Sequence, residues 1–165
     1  MTDKQGNLNP GFFFCDFNNE YHRIKLVELI DHYITDPMGT GITLSLKGKA
    51  NLIEGLRNHP SSFVLFIAVN KEIIGLATCF INFSTFQASN YLNIHDLIIL
   101  QEYRGRGFGK KILEKCIEIA HERGYCKVTL EVRDDNINAK AIYKNLGFKD
   151  SEPFMHFWTK RLLES

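Results

Sequence analysis

The segment of this chain densest in chemistry is Gln101-Glu-Tyr-Arg-Gly-Arg-Gly-Phe-Gly-Lys-Lys111. Its three glycines are interleaved with Arg104, Arg106, Lys110 and Lys111, directly ahead of an amphipathic helical pattern. Free amides at a helix start carry partial positive charge, and glycine lets a phosphate approach them closely. Cations in a first turn oppose the helix dipole by roughly 0.3–1 kcal/mol each, so this crowding points to a polyanionic ligand that offsets the repulsion. Two common phosphate motifs fail on spacing. A dinucleotide fingerprint begun at Gly105 and Gly107 places its third glycine at Lys110. A P-loop ending at Gly109-Lys110 would need glycine at Arg104 and a hydroxyl at Lys111.

The elements that must position this segment alternate along the chain. Before it, residues 91–100 read as a strand whose apolar run Leu97-Ile98-Ile99-Leu100 suits an element covered on both faces. After it, apolar residues at Phe108, Ile112, Leu113, Cys116, Ile117 and Ala120 predict a helix over 107–123, closed by Gly124. A strand over 125–132 follows, then a helix capped by Asp135 or Asn136 with the stripe Ala139, Ile142, Tyr143, Leu146, ended by Gly147. Upstream, the pattern predicts a strand over 11–17 and a helix from Asn18 or Asn19 to about residue 34. A loop at 36–41 leads to a second helix over about 46–58, then strands over 62–69 and 73–83 joined at Asn70-Lys71-Glu72. The tail, 148 to about 162, reads as one or two final strands. The order β-α-α-β-β-β-α-β-α-β-β predicts an α/β (α+β) fold: one domain over 1–165 with a mixed, mostly antiparallel twisted sheet of about seven strands and helices on both faces.

Composition narrows the function classes. Lys+Arg at 20 against Asp+Glu at 19 leaves a net charge of +1, without the basic excess of a dedicated nucleic-acid binder. Specificity for anions must be local. Cys15, Cys79, Cys116 and Cys126 lack the spacing of a metal site or redox pair, so no metal is expected and the thiols read as free in a reducing compartment. Neither a signal sequence nor an apolar run near the ~20 residues of a membrane helix is evident, which predicts a cytoplasmic protein without a membrane partner.

Arg104-x-x-Gly107-x-Gly109, following an apolar strand and opening an amphipathic helix, resembles the acetyl-coenzyme A signature (Q/R-x-x-G-x-G/A) of the GNAT family of N-acetyltransferases. Asn136-x-x-Ala139-x-x-x-Tyr143-x-x-x-Gly147-Phe148 resembles that family's next motif. With the element order, the resemblance covers nearly the whole chain. It implies that Arg104 and the loop amides of Gly105, Arg106, Gly107, Phe108, Gly109 and Lys110 hold the coenzyme pyrophosphate. Backbone groups of Leu97, Ile98 and Ile99 would take the pantetheine arm in a gap between the fourth and fifth strands. Asn136 matches a coenzyme-contacting position and reads equally well as a helix cap. Tyr143 on its own reads as a core aromatic; the resemblance makes it the general acid that protonates the departing thiolate, consistent with reference pKa values of about 10 for phenol and about 8.5 for thiol.

Acyl transfer to an amine also calls for a neutral nucleophile, and an alkyl amine of pKa about 10.4 is neutral at pH 7 in only about one molecule in 10³. The strand segment Leu92-Asn-Ile-His-Asp-Leu97 offers His95 and Asp96, which alternation sends to opposite faces. His95, with a reference pKa of about 6.5, falls where the diamine-acetyltransferase branch has a Glu; Asp96 matches an Asp of that branch. A reaction with no dedicated base stays open. Residues 82–86 and 91–97 are also similar to that branch, implying a small-molecule amine as acceptor, and Asp31 and Asp36 are candidates to pair with a cationic substrate. A protein or peptide acceptor, and a non-catalytic acyl-coenzyme A sensor, are the rival readings. The family is compatible with a homodimer, although no exposed stripe in the sequence demonstrates one.

Overall fold

The computed structural model describes residues 9–37, 39, 41–160 and 162. The described residues fall into two compact units, one ending at Glu131 and the other beginning at Val132. The first contains β1 (Gly11–Phe14), α1 (Glu20–Thr35), α2 (Leu46–Asn58), β2 (Ser62–Val69), β3 (Glu72–Ser84), β4 (Ser89–Ile99), a 3₁₀ turn (Gln101–Tyr103), α3 (Phe108–Glu122) and β5 (Val128–Leu130). The second contains α4 (Ile137–Asn145).

The strands form a sheet in the order β1-β2-β3-β4-β5. Neighbours through β4 are antiparallel, and β4 pairs with β5 in parallel. The turn between β2 and β3 is shorter than expected. Asn70 and Lys71 adopt positive φ of 51° and 70°, the two-residue geometry whose twist matches a hairpin, and Glu72 already belongs to β3.

β2 is buried along most of its length because both faces of the sheet are covered. Val64 and Phe66 join Leu76 and Ile98 in a cluster with Leu26, Leu29 and Ile30 of α1 and Leu56 of α2. The intervening residues face the other way, toward α3, whose stripe Phe108, Ile112, Leu113, Cys116, Ile119 and Ala120 is buried. On that side the Cys79 and Cys116 thiols lie 4.0 Å apart, both fully buried and unoxidised. At Gly75 the neighbouring strands leave no room for a side chain. A Cβ there would lie 2.3 Å from the Ile98 carbonyl oxygen and 2.6 Å from Ile99 Cδ1, so only glycine fits.

Two expectations need correction. β5 spans three residues rather than 125–132, because its ladder with β4 ends at Ile94 and Leu130. Among the described residues of 148–162 there is no strand, so the sheet has five strands rather than about seven. Strand propensity becomes a strand only where another strand takes up its hydrogen bonds. Pro153 supplies no N–H, and Phe154, Met155, Phe157 and Trp158 are all exposed. No helix among the described residues is long and apolar enough to cross a membrane.

Candidate active site

Three helices begin under a side-chain cap: Asn19 on α1, Ser45 on α2 and Asn136 on α4 each accept a hydrogen bond from an amide of the first turn. α3 begins differently. Its N-cap is Gly107, held at φ 80°, which has no side chain to offer. The first i→i−4 bond, from the Lys111 amide to the Gly107 carbonyl, spans 3.1 Å, leaving the amides of Phe108, Gly109 and Lys110 without helical acceptors. Phe108 is buried and roots the turn, whereas Gly105, Arg106 and Gly107 are exposed. The Tyr103 hydroxyl donates to Glu72 Oε2 at 2.8 Å, fastening the preceding turn to β3.

The four basic residues of this segment do different things. Arg106 stacks over the Tyr103 ring at 5.6 Å, and Lys110 lies 3.5 Å from Glu114 one turn along. Lys111 sits over the Phe108 ring at 5.9 Å. Arg104 is held by the fold: Nη1 meets Asp36 Oδ2 at 2.6 Å and Nε donates to the Ile99 carbonyl at 2.8 Å. Asp36 is thus occupied by Arg104, and Asp31 is paired with Lys49. Both acids expected to attract a cationic substrate instead make ion pairs within the fold.

β4 supplies the second part of the site. It is paired on both edges only as far as Ile94; His95 to Ile99 continue along β3 alone, leaving the β5-facing edge of this stretch without a strand. Leu97, Ile98 and Ile99 lie here, with Ile98 and Ile99 buried by their side chains. Their packing leaves the main chain as the group available to a ligand along that edge.

At the start of the open stretch, Thr78 pairs with Asp96 and Cys79 with Ile94, so His95 is the extra residue of a β-bulge. The bulge overturns the expectation that His95 and Asp96 face opposite ways. Leu76 and Phe80 of β3 both pack on the α1–α2 cluster, so Thr78 between them shares that face, as does its partner Asp96. The His95 ring meets Phe80 edge-on at 5.6 Å, and Phe80 meets His59 at 5.0 Å on the same ring. His95 is exposed and Asp96 half-buried. Burial pushes the Asp96 carboxyl above its ordinary value, against the opposing pull of His95 and the Thr78 hydroxyl.

In the second unit, Asn136 Oδ1 accepts from the Ala139 amide at 3.1 Å, which realises the capping reading. Tyr143 is half-buried, its ring 6.0 Å from that of Phe148, and its carbonyl accepts from the Phe148 amide. Among the described residues no group of three His, Cys, Asp or Glu is arranged to hold a metal ion. Sequence reasoning missed His59, Thr78 and the Asp36–Arg104 pair. Each acquires its place through a partner distant in the chain, and none carries a local signal.

Comparison with known proteins identifies the family and the fold. Residues 26–148 match the Acetyltransferase (GNAT) family. An uncharacterised N-acetyltransferase of Archaeoglobus fulgidus is 31% identical over 103 residues, covering 62% of this chain and 70% of that protein. A thialysine N-epsilon-acetyltransferase of Bos taurus is 35% identical over 47% of this chain and 45% of its own length. A ribosomal protein bS18-alanine N-acetyltransferase of Haemophilus influenzae is 34% identical over 55% of this chain and 58% of its own. The matched stretch thus covers about half the length of the last two. A crystal structure of a probable acetyltransferase superposes with a TM-score of 0.78 at 16% identity, covering 95% of this chain and all of that one, which establishes the shared fold. The chain belongs to the acetyltransferase (GNAT) family and is an N-acetyltransferase of that family.

Proposed function

We propose that the chain transfers the acetyl group of acetyl-coenzyme A to a primary amine of a small molecule by direct attack on the thioester. The observation that carries this reading is the uncapped, exposed start of α3, the one α-helix start without a side-chain acceptor among those described. Its three open amides and the flexible-backbone glycines fit a pyrophosphate. When bound, the coenzyme supplies an activated acyl group. Gly105, Arg106, Gly107, Phe108, Gly109 and Lys110 would hold its phosphates, and the open edge at Leu97–Ile99 would take its amide-bearing arm.

The remaining work falls to this chain's own side chains. His95 is assigned the proton of the attacking ammonium, because it is exposed on the face that Asp96 shares. Asp96 is the alternative base, with a carboxyl already raised by burial. Tyr143 is assigned the proton delivered to the leaving thiolate. The family match runs from residue 26 to 148 and so spans both units, which supports reading 1–165 as one functional domain. A small amine is favoured by the likeness to the thialysine enzyme; the bS18-alanine enzyme keeps a protein N-terminus as the second reading.

Thiol release from acetyl-coenzyme A, measured against polyamines, amino acids, aminoglycosides and peptides, separates these readings. Release with small amines alone is the expected result. Release with peptides alone would move the acceptor to proteins, and tight coenzyme binding without any amine-dependent release would make the chain a sensor.

A further inference from the structure

Arg104 stands in the glycine-rich segment where a phosphate ligand is expected, yet its guanidinium is engaged by partners within the fold. Its planar fork is used at two points, Nη1 on Asp36 and Nε on the carbonyl that ends β4. Asp36 is itself firmly placed. It is the C-cap of α1, its amide donates to the carbonyls of His32 and Tyr33, and its own carbonyl accepts from Gly39 at 2.7 Å. Gly39 is pressed against the helix end so closely that a Cβ would lie 2.3 Å from the Tyr33 and Ile34 carbonyl oxygens. Gly41 returns a further hydrogen bond to Ile34 at 2.8 Å.

Electrostatics explains the pairing. A carboxylate at the C-terminus of α1 faces the negative end of the helix dipole, and a cation ahead of α3 faces the positive end of another. Each is misplaced alone, and each supplies the charge the other needs. The Asp36 side chain is 15% and the Arg104 side chain 45% exposed, so the pair is partly screened by water and matters for the geometry it fixes more than for its attraction.

We infer that Arg104 is a positioning residue rather than a phosphate ligand: it brackets the end of β4 and the α1–α2 connection, and thereby aims the amides of Gly105–Gly109 at the coenzyme. This rests on the coenzyme reading above. The order of the α1–α2 connection and the affinity of the loop are then two expressions of one contact.

Calorimetric titration of acetyl-coenzyme A into the wild-type chain, Asp36→Asn, Arg104→Gln, Arg104→Lys and the Asp36→Asn/Arg104→Gln double variant tests this, with thermal melts to verify folding. Each single variant is expected to weaken binding about tenfold, and the double variant to be no weaker than either single. Arg104→Lys is expected to fail like Arg104→Gln, because an ammonium keeps the charge but not the fork. Amide hydrogen exchange without coenzyme gives a second readout: Asp36→Asn should speed exchange at the hydrogen-bonded amides that flank the contact, those of Gly39, Gly41, Arg104 and Lys111. Wild-type affinity in Asp36→Asn or in Arg104→Lys, losses that multiply in the double variant, or unchanged exchange would each overturn the inference. Absence of binding by the wild-type chain would instead strike the coenzyme reading itself, while the exchange measurement would still decide the bracket.

Discussion

The starts of α3 and α4 invite comparison, since the family resemblance places coenzyme contacts at both. α4 satisfies its first turn internally, with the Asn136 side chain on the Ala139 amide. α3 offers only Gly107 at that position and leaves its first amides to whatever arrives from outside. A Gly N-cap costs a helix only a few tenths of a kcal/mol relative to an Asn cap, so α3 leaves its first amides open at little loss of stability. The two helix starts therefore differ in kind: an Asn side chain closes the start of α4, which carries Tyr143 on its second turn, while Gly107 leaves the start of α3 open, as the proposed coenzyme contact requires.

The largest expected effect separates the two helices by the step each serves. Tyr143→Phe should lower kcat about 10²-fold while leaving coenzyme affinity within about twofold. Equal losses in kcat and affinity would put Tyr143 in binding instead. Next, Gly109→Asp places a carboxylate in the open first turn, where a Cβ has room, its nearest contact being Ile99 Cγ1 at 3.9 Å. The helix should gain roughly 0.3–1 kcal/mol while coenzyme binding weakens about thirtyfold, opposite signs that titration and melting curves read together. If binding survives, the phosphates do not sit at the α3 start.

Asn136→Ala tests the closed member of the pair. The expected outcome is a loss of about 1 kcal/mol in stability, matched by Asn19→Ala on α1, with a coenzyme KM changed by less than about threefold. A tenfold rise in KM for Asn136→Ala alone would give that side chain a direct coenzyme contact as well as the cap.

The smallest effect concerns Asp96. Because burial raises its carboxyl, the folded chain binds this proton more tightly than the unfolded chain does. Stability from this group is fully present below the ordinary value of 3.8 and is lost as pH rises through the raised folded value. Asp96→Asn should therefore be at least as stable as wild type at pH 7 and lose that advantage on acidification. A variant less stable at pH 7 would show that the carboxylate is held by a favourable partner.

Much of the first unit was legible in the sequence because its signals are local. Pro60 sets a limit to α2, and the 3.6-residue stripe from Phe108 to Ala120 announces α3. The loop between β4 and α3 was equally readable from its glycines and cations. The sequence offers His95 and Asp96 as candidates, but the face they share was not legible, since alternation along β4 is broken by a bulge that only pairing with β3 creates. The tail shows the complementary failure: its aromatic residues carry strand propensity, yet no strand forms among its described residues.

By itself, then, the sequence determined the helices, the uncapped start of α3 and the motif pair that identifies the family, because caps, glycine conformations and helical periodicity are set by residues within a few positions of one another. Tertiary structure alone decided the number of strands, the shared face of His95 and Asp96, the open edge of β4, and the diversion of Arg104 to Asp36. Each of those depends on hydrogen bonds or charges supplied from far along the chain, and proximity of that kind exists only once the chain has folded.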